Sequence, residues 1–540
     1  MLRRIWHKLQ TTVAGGAIII AFASIVSRLL GLLRDRLFAS TFGAGDILDS
    51  YYAAFRLPDL IFNVLVLGAL SAAFIPVFLE YWQKDKEANF STKEAWRIAN
   101  SVLNIICLIL LVLGLFFFIF ATPITRLITP GFSPVKQAMT VDLTRIMLAS
   151  IFIFGISNIF GSILNSFRKF LAFAFAPVMY NIGIIFGILL FYKWWGVEGL
   201  AWGVVVGAFL HLAIQVPSVL KTGFRYQWLF DFKHPGVRKM FRLILPRTFG
   251  LAVGQINQLV ITVIASFLAA GSLAVFNLAN NLQSFPINVI GVSLAIAAFP
   301  LMSEAFAARE TDKFVVQFSV TLRRVLFLII PASVLFILLR AQIVRVILGA
   351  GAFDWQDTYL TAQALGYFSL SLFAQSLIPM LARSFYAHQD TKTPVKISVV
   401  SLLINILGSV ILSRYMGILG LALSFSISNL VNMALLILVL RRRFGDLDDK
   451  KIINSTVRIL LASFFMGGVI WLVKRFLVLG LNMQTFVGVL LEGVVAGAVG
   501  VLVYLAIAFI FHFDEISILR QWLFKKKKEI ENNEENGHEQ

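Results

Sequence analysis

The sequence predicts an all-α polytopic membrane protein of about fourteen transmembrane helices: two pseudo-symmetric six-helix lobes around a central cavity, plus two extra C-terminal helices. Three observations predict it. The chain of 540 residues is 59% hydrophobic and only 14% charged, where a soluble protein carries about 25% charged residues. Apolar runs recur along its whole length, each near the ~20 residues needed to cross a bilayer core. The pattern also repeats internally after roughly 220 residues. A mean hydropathy of +0.85 leaves too little polar surface to cover so many apolar helices in water.

The spans fall near 13–39, 49–80, 96–122, 142–167, 171–193, 197–220, 239–268, 272–306, 319–346, 357–386, 393–414, 417–440, 453–474 and 486–511. Several exceed the minimum length, so tilt, kinks or extension beyond the bilayer are expected. The basic start (Arg3, Arg4, Lys8) leads into a segment too long for a signal-peptide core and followed by charged residues, so no cleavable signal is read there.

Loop charges orient the chain. Bases cluster at Lys84, Lys86 and Lys93; at Arg168 and Lys169; and at Lys221, Arg225, Lys233, Arg238 and Lys239. They cluster again at Arg309, Lys313, Arg323 and Arg324, at Lys392 and Lys396, and at Arg441–Arg443 with Lys450 and Lys451. The alternate loops are poor in bases, with none between Phe42 and Leu48 or between Ala270 and Val275. The positive-inside rule puts both termini and the Lys525–Lys528 run in the cytoplasm. The net charge of +19 is explained by these loops, and no nucleic-acid partner is expected. The acidic, Asn-rich end after Lys528 reads as disordered.

The repeat justifies the lobes. AAFIP at 72–76 echoes AAFP at 297–300, LNSF at 164–167 echoes LARSF at 381–385, and GVEGLA at 196–201 echoes GILGLA at 417–422. Six helices precede the repeat, an even number, so both halves keep one orientation and form a parallel repeat. The expected organisation is an N-terminal lobe over 1–232, a C-terminal lobe over 233–452, an add-on helix pair over 453–512 and a tail over 513–540.

Charges inside spans are costly and mark function. The first span holds Arg28, Arg34, Asp35 and Arg36; at roughly 100° per residue, Arg28 and Asp35 share a face and Arg34 lies about 120° round. The second aligns Asp49, Tyr52, Arg56, Asp59 and Asn63 on one stripe, with Pro58 able to kink it. Arg56 and Asp59 either face a cavity or pair with each other. The counterpart spans are polar without charge: Asn277, Asn281, Ser284 and Asn288 at helical spacing with Asn280 beside them, and Arg247, Gln255, Gln258 and Thr262 in the span before. Interhelical hydrogen-bond glue is the bland reading, and a cavity wall fits four Asn in twelve residues better. Arginine suits such a cavity because its fork binds phosphate oxygens bidentately and its charge survives burial. A cationic cavity implies an anionic substrate, and the add-on helices offer a hydrophobic route for a lipid tail.

Enzyme signals are missing. There is no Gly-rich loop with a following Lys, and the six histidines form no ligand spacing. The one cysteine, Cys107, sits in an apolar run, which removes disulfides and zinc sites from consideration. No cofactor or metal is expected. A membrane-embedded glycosyltransferase would need an acidic residue in a sizeable outer loop, and the longest candidate, about 123–141, offers only Asp142 at its edge.

SRLLGLLRD (27–35), FGAGDILDSYYAAFRLP (42–58) and GALSAAFIPVF (68–78) resemble the start of the MurJ (MviN) family, and TPGF (129–132), PRTFGLAVGQIN (246–257), ASFLAAGS (265–272) and FPINVIGVSLAIAAFP (285–300) agree. The resemblance covers roughly residues 15 to 440. These are lipid II flippases of the multidrug/oligosaccharidyl-lipid/polysaccharide exporter superfamily. The resemblance implies fourteen helices and a bacterial inner-membrane location. It implies lipid II (undecaprenyl pyrophosphate bearing a disaccharide-pentapeptide) as substrate, moved by alternating access with an ion gradient or the membrane potential. Arg28 and Arg34 match its span-1 arginines and Asp49 its acidic residue opening span 2. Three positions depart from the family: Phe62 stands where an arginine is usual, Ala279-Asn280-Asn281 with Ser284 replace an Ala-Asp-Arg and a nearby Glu, and Ile261 replaces an Asp linked to a cation site. These departures keep a second reading open, export of another polyprenyl-linked glycan or an amphipathic drug.

Overall fold

In a computed structural model, residues 13–67, 70–87 and 93–516 are described. Among them there is no strand; helix follows helix, as the apolar runs require where backbone groups have no water to bond. In chain order the first group is α1 (Val13–Phe42), α2 (Asp46–Ala54), α3 (Arg56–Ile61), α4 (Leu70–Glu87), α5 (Lys93–Ile119) and α6 (Ala121–Ile128). Next come α7 (Pro134–Ser166), α8 (Phe170–Phe186), α9 (Tyr192–Trp195), α10 (Glu198–Ala213), α11 (Val216–Leu220), α12 (Pro235–Ser266) and α13 (Ser272–Pro286). The rest are α14 (Ser293–Ala307), α15 (Thr311–Leu338), α16 (Arg340–Ile347), α17 (Trp355–Ser369), α18 (Leu372–Ala387), α19 (Lys392–Met416), α20 (Ile418–Phe444), α21 (Asp449–Gly480) and α22 (Phe486–Ile510).

Ten helices among the described residues are long and apolar enough to cross a membrane, and the pair α17–α18, bent by 46°, makes an eleventh. They coincide with expected spans 3 to 6 and 8 to 14. The other three expected spans, the first, second and seventh, are helical as well among the described residues, and they are the ones carrying the charged side chains singled out above. The expected long outer loop at 123–141 is mostly helix: α6 and α7 leave only residues 129–133 between them, because Ser133 caps α7 and Pro134 opens it. The basic N-terminal start and the chain beyond Ile516 lie outside the described residues. The expected tail opens with a 3₁₀ turn, Asp514–Ile516, whose Glu515 and Ser455 are hydrogen bonded at 2.8 Å.

Three short π-helical segments interrupt the spans, at Phe62–Leu67, Gly187–Phe191 and Ile287–Val292. The first and third begin at residues 62 and 287, 225 apart, the spacing of the sequence repeat. Each follows a proline, Pro58 or Pro286, which cannot donate to the preceding turn and forces the ladder to rearrange. The paired glycines Gly196 and Gly417 both take positive φ, 58° and 56°, in the matching GVEGLA and GILGLA turns.

The chain forms two compact units. One comprises residues up to Leu278 with Ile347–Asp357 and Ile406–Leu421; the other comprises Ala279–Val346, Thr358–Asn405 and residues from Ala422 on. The first is packed around Phe74, Phe78, Ile98 and Leu164, with the rings of Trp82, Trp96 and Phe167 against them. In it α8 and α10 approach closely through glycine: a Cβ on Gly187 would stand 2.8 Å from the Gly203 Cα. Such small-residue seams let helix backbones pack without a hydrophobic drive from water. The second unit is packed around Phe318, Leu322, Leu377, Met380, Phe385 and Met466.

Candidate functional site

The first unit gathers most of the expected polar residues. On α1, Arg34 is part-buried and forks onto Asp35, with Nε and Nη2 at 3.0 and 2.8 Å from Oδ1. Its Nη1 donates to Asn181 Oδ1 on α8 at 3.2 Å, and the Asn181 amide donates to Ser27 Oγ and to the Pro177 carbonyl. Asn181 thus joins α8 to α1 and orients the guanidinium. Sequence reading missed it, since a single Asn in an apolar span gives no periodic signal. Arg28, two turns earlier on α1, is half-buried and has no hydrogen-bond or ion-pair partner among the described residues. Asp35 is 4% exposed.

Asp49 occupies a different setting. Lys136 Nζ on α7 lies 2.6 Å from Asp49 Oδ2 and 2.7 Å from Asp46 Oδ1. The other Asp49 contacts are backbone: Gly271 N–H donates to Oδ2 and Ala274 N–H to Oδ1, both at 2.8 Å. A carboxylate on the first amides of α13 complements the positive end of that helix. Both oxygens are therefore taken by the protein, and Asp49 ties α2, α7 and the start of α13 together. The same end carries Ala352 N–H on the Ser40 carbonyl and Ala44 N–H on Asp357, each at 2.8 Å. The end of α1 is thereby bound to the 347–357 segment.

Arg56 is 8% exposed. Its Nε donates to Thr262 Oγ1 on α12 at 2.7 Å and its Nη2 to Asn277 Oδ1 on α13 at 2.9 Å. It does not pair with Asp59: the Asp59 carboxylate accepts no hydrogen bond and forms no ion pair among the described residues. Phe62, where relatives' arginine was expected, packs its ring 5.0 Å from Phe154. Gln255 is half-buried, and Arg247 lies in α12 with its side chain outside the described residues.

The polar stripe of α13 divides its work. Asn277 accepts from Arg56 and donates to the Leu273 carbonyl at 2.7 Å. In the second unit, Asn280 accepts from Gln283, which accepts from Gln375, and Ser371 links that chain to Ser426. Ser284 bonds the Asn281 carbonyl and Asn288 the Ser284 carbonyl, within their own helix. Asn281 is half-buried.

A bundle of apolar helices holding arginines and polar side chains within its spans defines an integral membrane transporter. Solved structures agree on the fold: an inward-facing multidrug resistance transporter of the MATE family in the MOP superfamily superposes with a TM-score of 0.64 at 18% identity, covering 80% of this chain and 99% of that one. The chain belongs to the MurJ family; the family model "Lipid II flippase MurJ" matches residues 38–491. A probable lipid II flippase MurJ of Buchnera aphidicola is 30% identical over 473 residues, 87% of this chain and 91% of that one. Lipid II flippase MurJ of Burkholderia cenocepacia is 30% identical over 428 residues, 78% of this chain and 82% of that one. The structure titled "Lipid II flippase MurJ, inward closed conformation" superposes with a TM-score of 0.77 at 28% identity, covering 92% of this chain and all of that one.

Proposed function

We propose that this chain is a lipid II flippase, carrying the lipid-linked peptidoglycan precursor from the cytoplasmic to the periplasmic leaflet of the bacterial inner membrane by alternating access. Membership of the MurJ family supports the substrate. On the molecule, the observation that carries the reading is Arg28: a half-buried guanidinium on a membrane helix with no acceptor of its own among the described residues. An arginine in a span needs an anionic or strongly accepting partner, and a pyrophosphate supplies oxygens that fit its fork. Arg34, held by Asp35 and Asn181, is a preset second donor on the same helix. The membrane lipid carries the tail, and an ion gradient or the membrane potential drives the cycle. The basic loops keep both termini in the cytoplasm.

The test is complementation of a flippase-depleted bacterium, read by labelling of externally exposed lipid II. The wild-type chain restores labelling and Arg28→Ala does not. Restored growth without externally labelled lipid II would favour export of another polyprenyl-linked glycan.

A further inference from the structure

We propose that Phe62, Phe154 and Tyr180, with the Nε2–H of His211, form a sugar-binding wall beside Arg34 that recognises the carbohydrate attached to the pyrophosphate. The proposal rests on the flippase reading and names the side chains that hold one part of its substrate.

The wall is a row of rings drawn from four elements of the first unit. Phe154 on α7 is its centre: the ring lies 5.0 Å from Phe62, 5.0 Å from Tyr180 on α8 and 5.3 Å from His211 on α10. Tyr180 and His211 meet it edge-on, at 75° and 72°, a favoured arrangement of ring quadrupoles. All four side chains are part-buried, not core. Polar groups border them. Tyr180 directly precedes Asn181, whose Oδ1 accepts from Arg34 Nη1 at 3.2 Å. The row therefore begins one residue from the partner of the second phosphate donor. Phe62 closes it at the position where the family resemblance places an arginine, so an apolar ring face replaces a charge there.

His211 is the polar tip of the row, and its orientation is set from behind. Gln215 Nε2 donates to Ser157 Oγ at 2.7 Å and to the His211 carbonyl at 3.1 Å. A carbonyl can only accept, which fixes the amide nitrogen on this side. Ser157 Oγ lies 2.7 Å from His211 Nδ1 and 3.4 Å from the His211 carbonyl, and its proton goes to the nearer acceptor. The neutral imidazole then carries its own proton on Nε2. That N–H has no acceptor among the described residues. Ser157 and Gln215 are both fully buried. Ring packing needs no such relay behind the imidazole; holding one donor in a fixed direction does.

A pyranose ring fits this combination. Its axial C–H bonds make an apolar face that packs on aromatic rings. Its rim carries hydroxyls, and in N-acetylated sugars an amide carbonyl, that accept from a preset N–H. Aromatic walls with a few placed polar groups are the usual make-up of small-molecule sites. Connectivity agrees. In a polyprenyl pyrophosphate glycan the first sugar is bonded directly to the pyrophosphate, so it must lie next to the phosphate donors. The arginines grip the charge that all such lipids share, and the wall reads the attached sugar.

Binding of two lipids to the purified full-length chain in nanodiscs tests the assignment: lipid II, and undecaprenyl pyrophosphate, which has the tail and phosphates without the sugar. His211→Leu and Phe154→Leu should each weaken lipid II binding several-fold and leave undecaprenyl pyrophosphate binding unchanged, which also shows that the variants are folded. His211→Gln, which returns a side-chain N–H donor, should recover much of the lipid II affinity. Wild-type lipid II affinity in both leucine variants, a parallel loss for both lipids, or a glutamine variant no better than leucine overturns the proposal and leaves wild-type binding, and with it the flippase reading, intact. Binding of neither lipid by the wild type would remove the flippase reading and the proposal together.

Discussion

The Lys136 ammonium sits 2.6 Å from Asp49 Oδ2, 8% and 2% exposed respectively, and the same carboxylate receives the Gly271 and Ala274 amides. One buried charge pair therefore fastens three elements of the first unit. Removing one partner of such a pair leaves an uncompensated charge, at a cost of about 3–5 kcal/mol. Lys136→Met should lower the thermal unfolding midpoint sharply. The double change Lys136→Met with Asp49→Asn should recover much of the loss, since Asn keeps one oxygen for the amides. Melting curves of the purified variants check this, and a double variant as unstable as the sum of both singles would speak against the pair.

Arg28 and Arg34 separate transport from stability. Both alanine variants should abolish lipid II flipping with the protein still in the membrane at normal level, and lysine should rescue only partly because the bidentate fork is lost. Only Arg34→Ala should also lower stability, by about 1–3 kcal/mol, because Asp35 and Asn181 lose their donor. Flipping assays beside melting curves give both numbers.

At the turn between α18 and α19, Asp390 accepts from the Lys392 and Thr393 amides, the Thr393 hydroxyl and Arg443 Nη2. Partial burial pushes its carboxyl up, but the bonds from Thr393 and Arg443 outweigh that and hold it down at about 2. Its folded value lies below the ordinary Asp value of about 3.9. The stabilisation is therefore complete above that ordinary value and is lost as pH falls through about 2. The site is mostly solvent-screened, so the expected size is that of a helix cap, about 1 kcal/mol. Asp390→Asn should melt lower than wild type at neutral pH, and the gap should close as pH drops below about 3.9.

The α8–α10 seam makes a packing prediction. Gly187→Leu places a branched side chain where even a Cβ would approach the Gly203 Cα at 2.8 Å. The helices must part, and the variant should fail to accumulate in the membrane, while Gly196→Ala, with open space but positive φ, should cost only about 1 kcal/mol. Membrane-fraction immunoblots separate the two.

The spans were legible because apolar length is a one-dimensional signal, and the paired π segments follow from Pro58 and Pro286, which the sequence displays. The arginines of α1 were legible for the same reason: a charge in an apolar run stands out. Their partners were not. Asn181, Thr262 and Lys136 meet Arg34, Arg56 and Asp49 across 147, 206 and 87 residues, and no local period marks such contacts. Nothing in the spacing of Arg56 and Asp59 revealed that the pair stays apart, since helical geometry alone favours it.

The most direct test of the central claim is the rate at which fluorescent lipid II becomes accessible on the far side of proteoliposomes that contain only this chain. The account predicts fast translocation by the wild type and none above the protein-free rate by Arg28→Ala incorporated to the same level. Equal rates for Arg28→Ala and the wild type, or no translocation by the wild type, would contradict it.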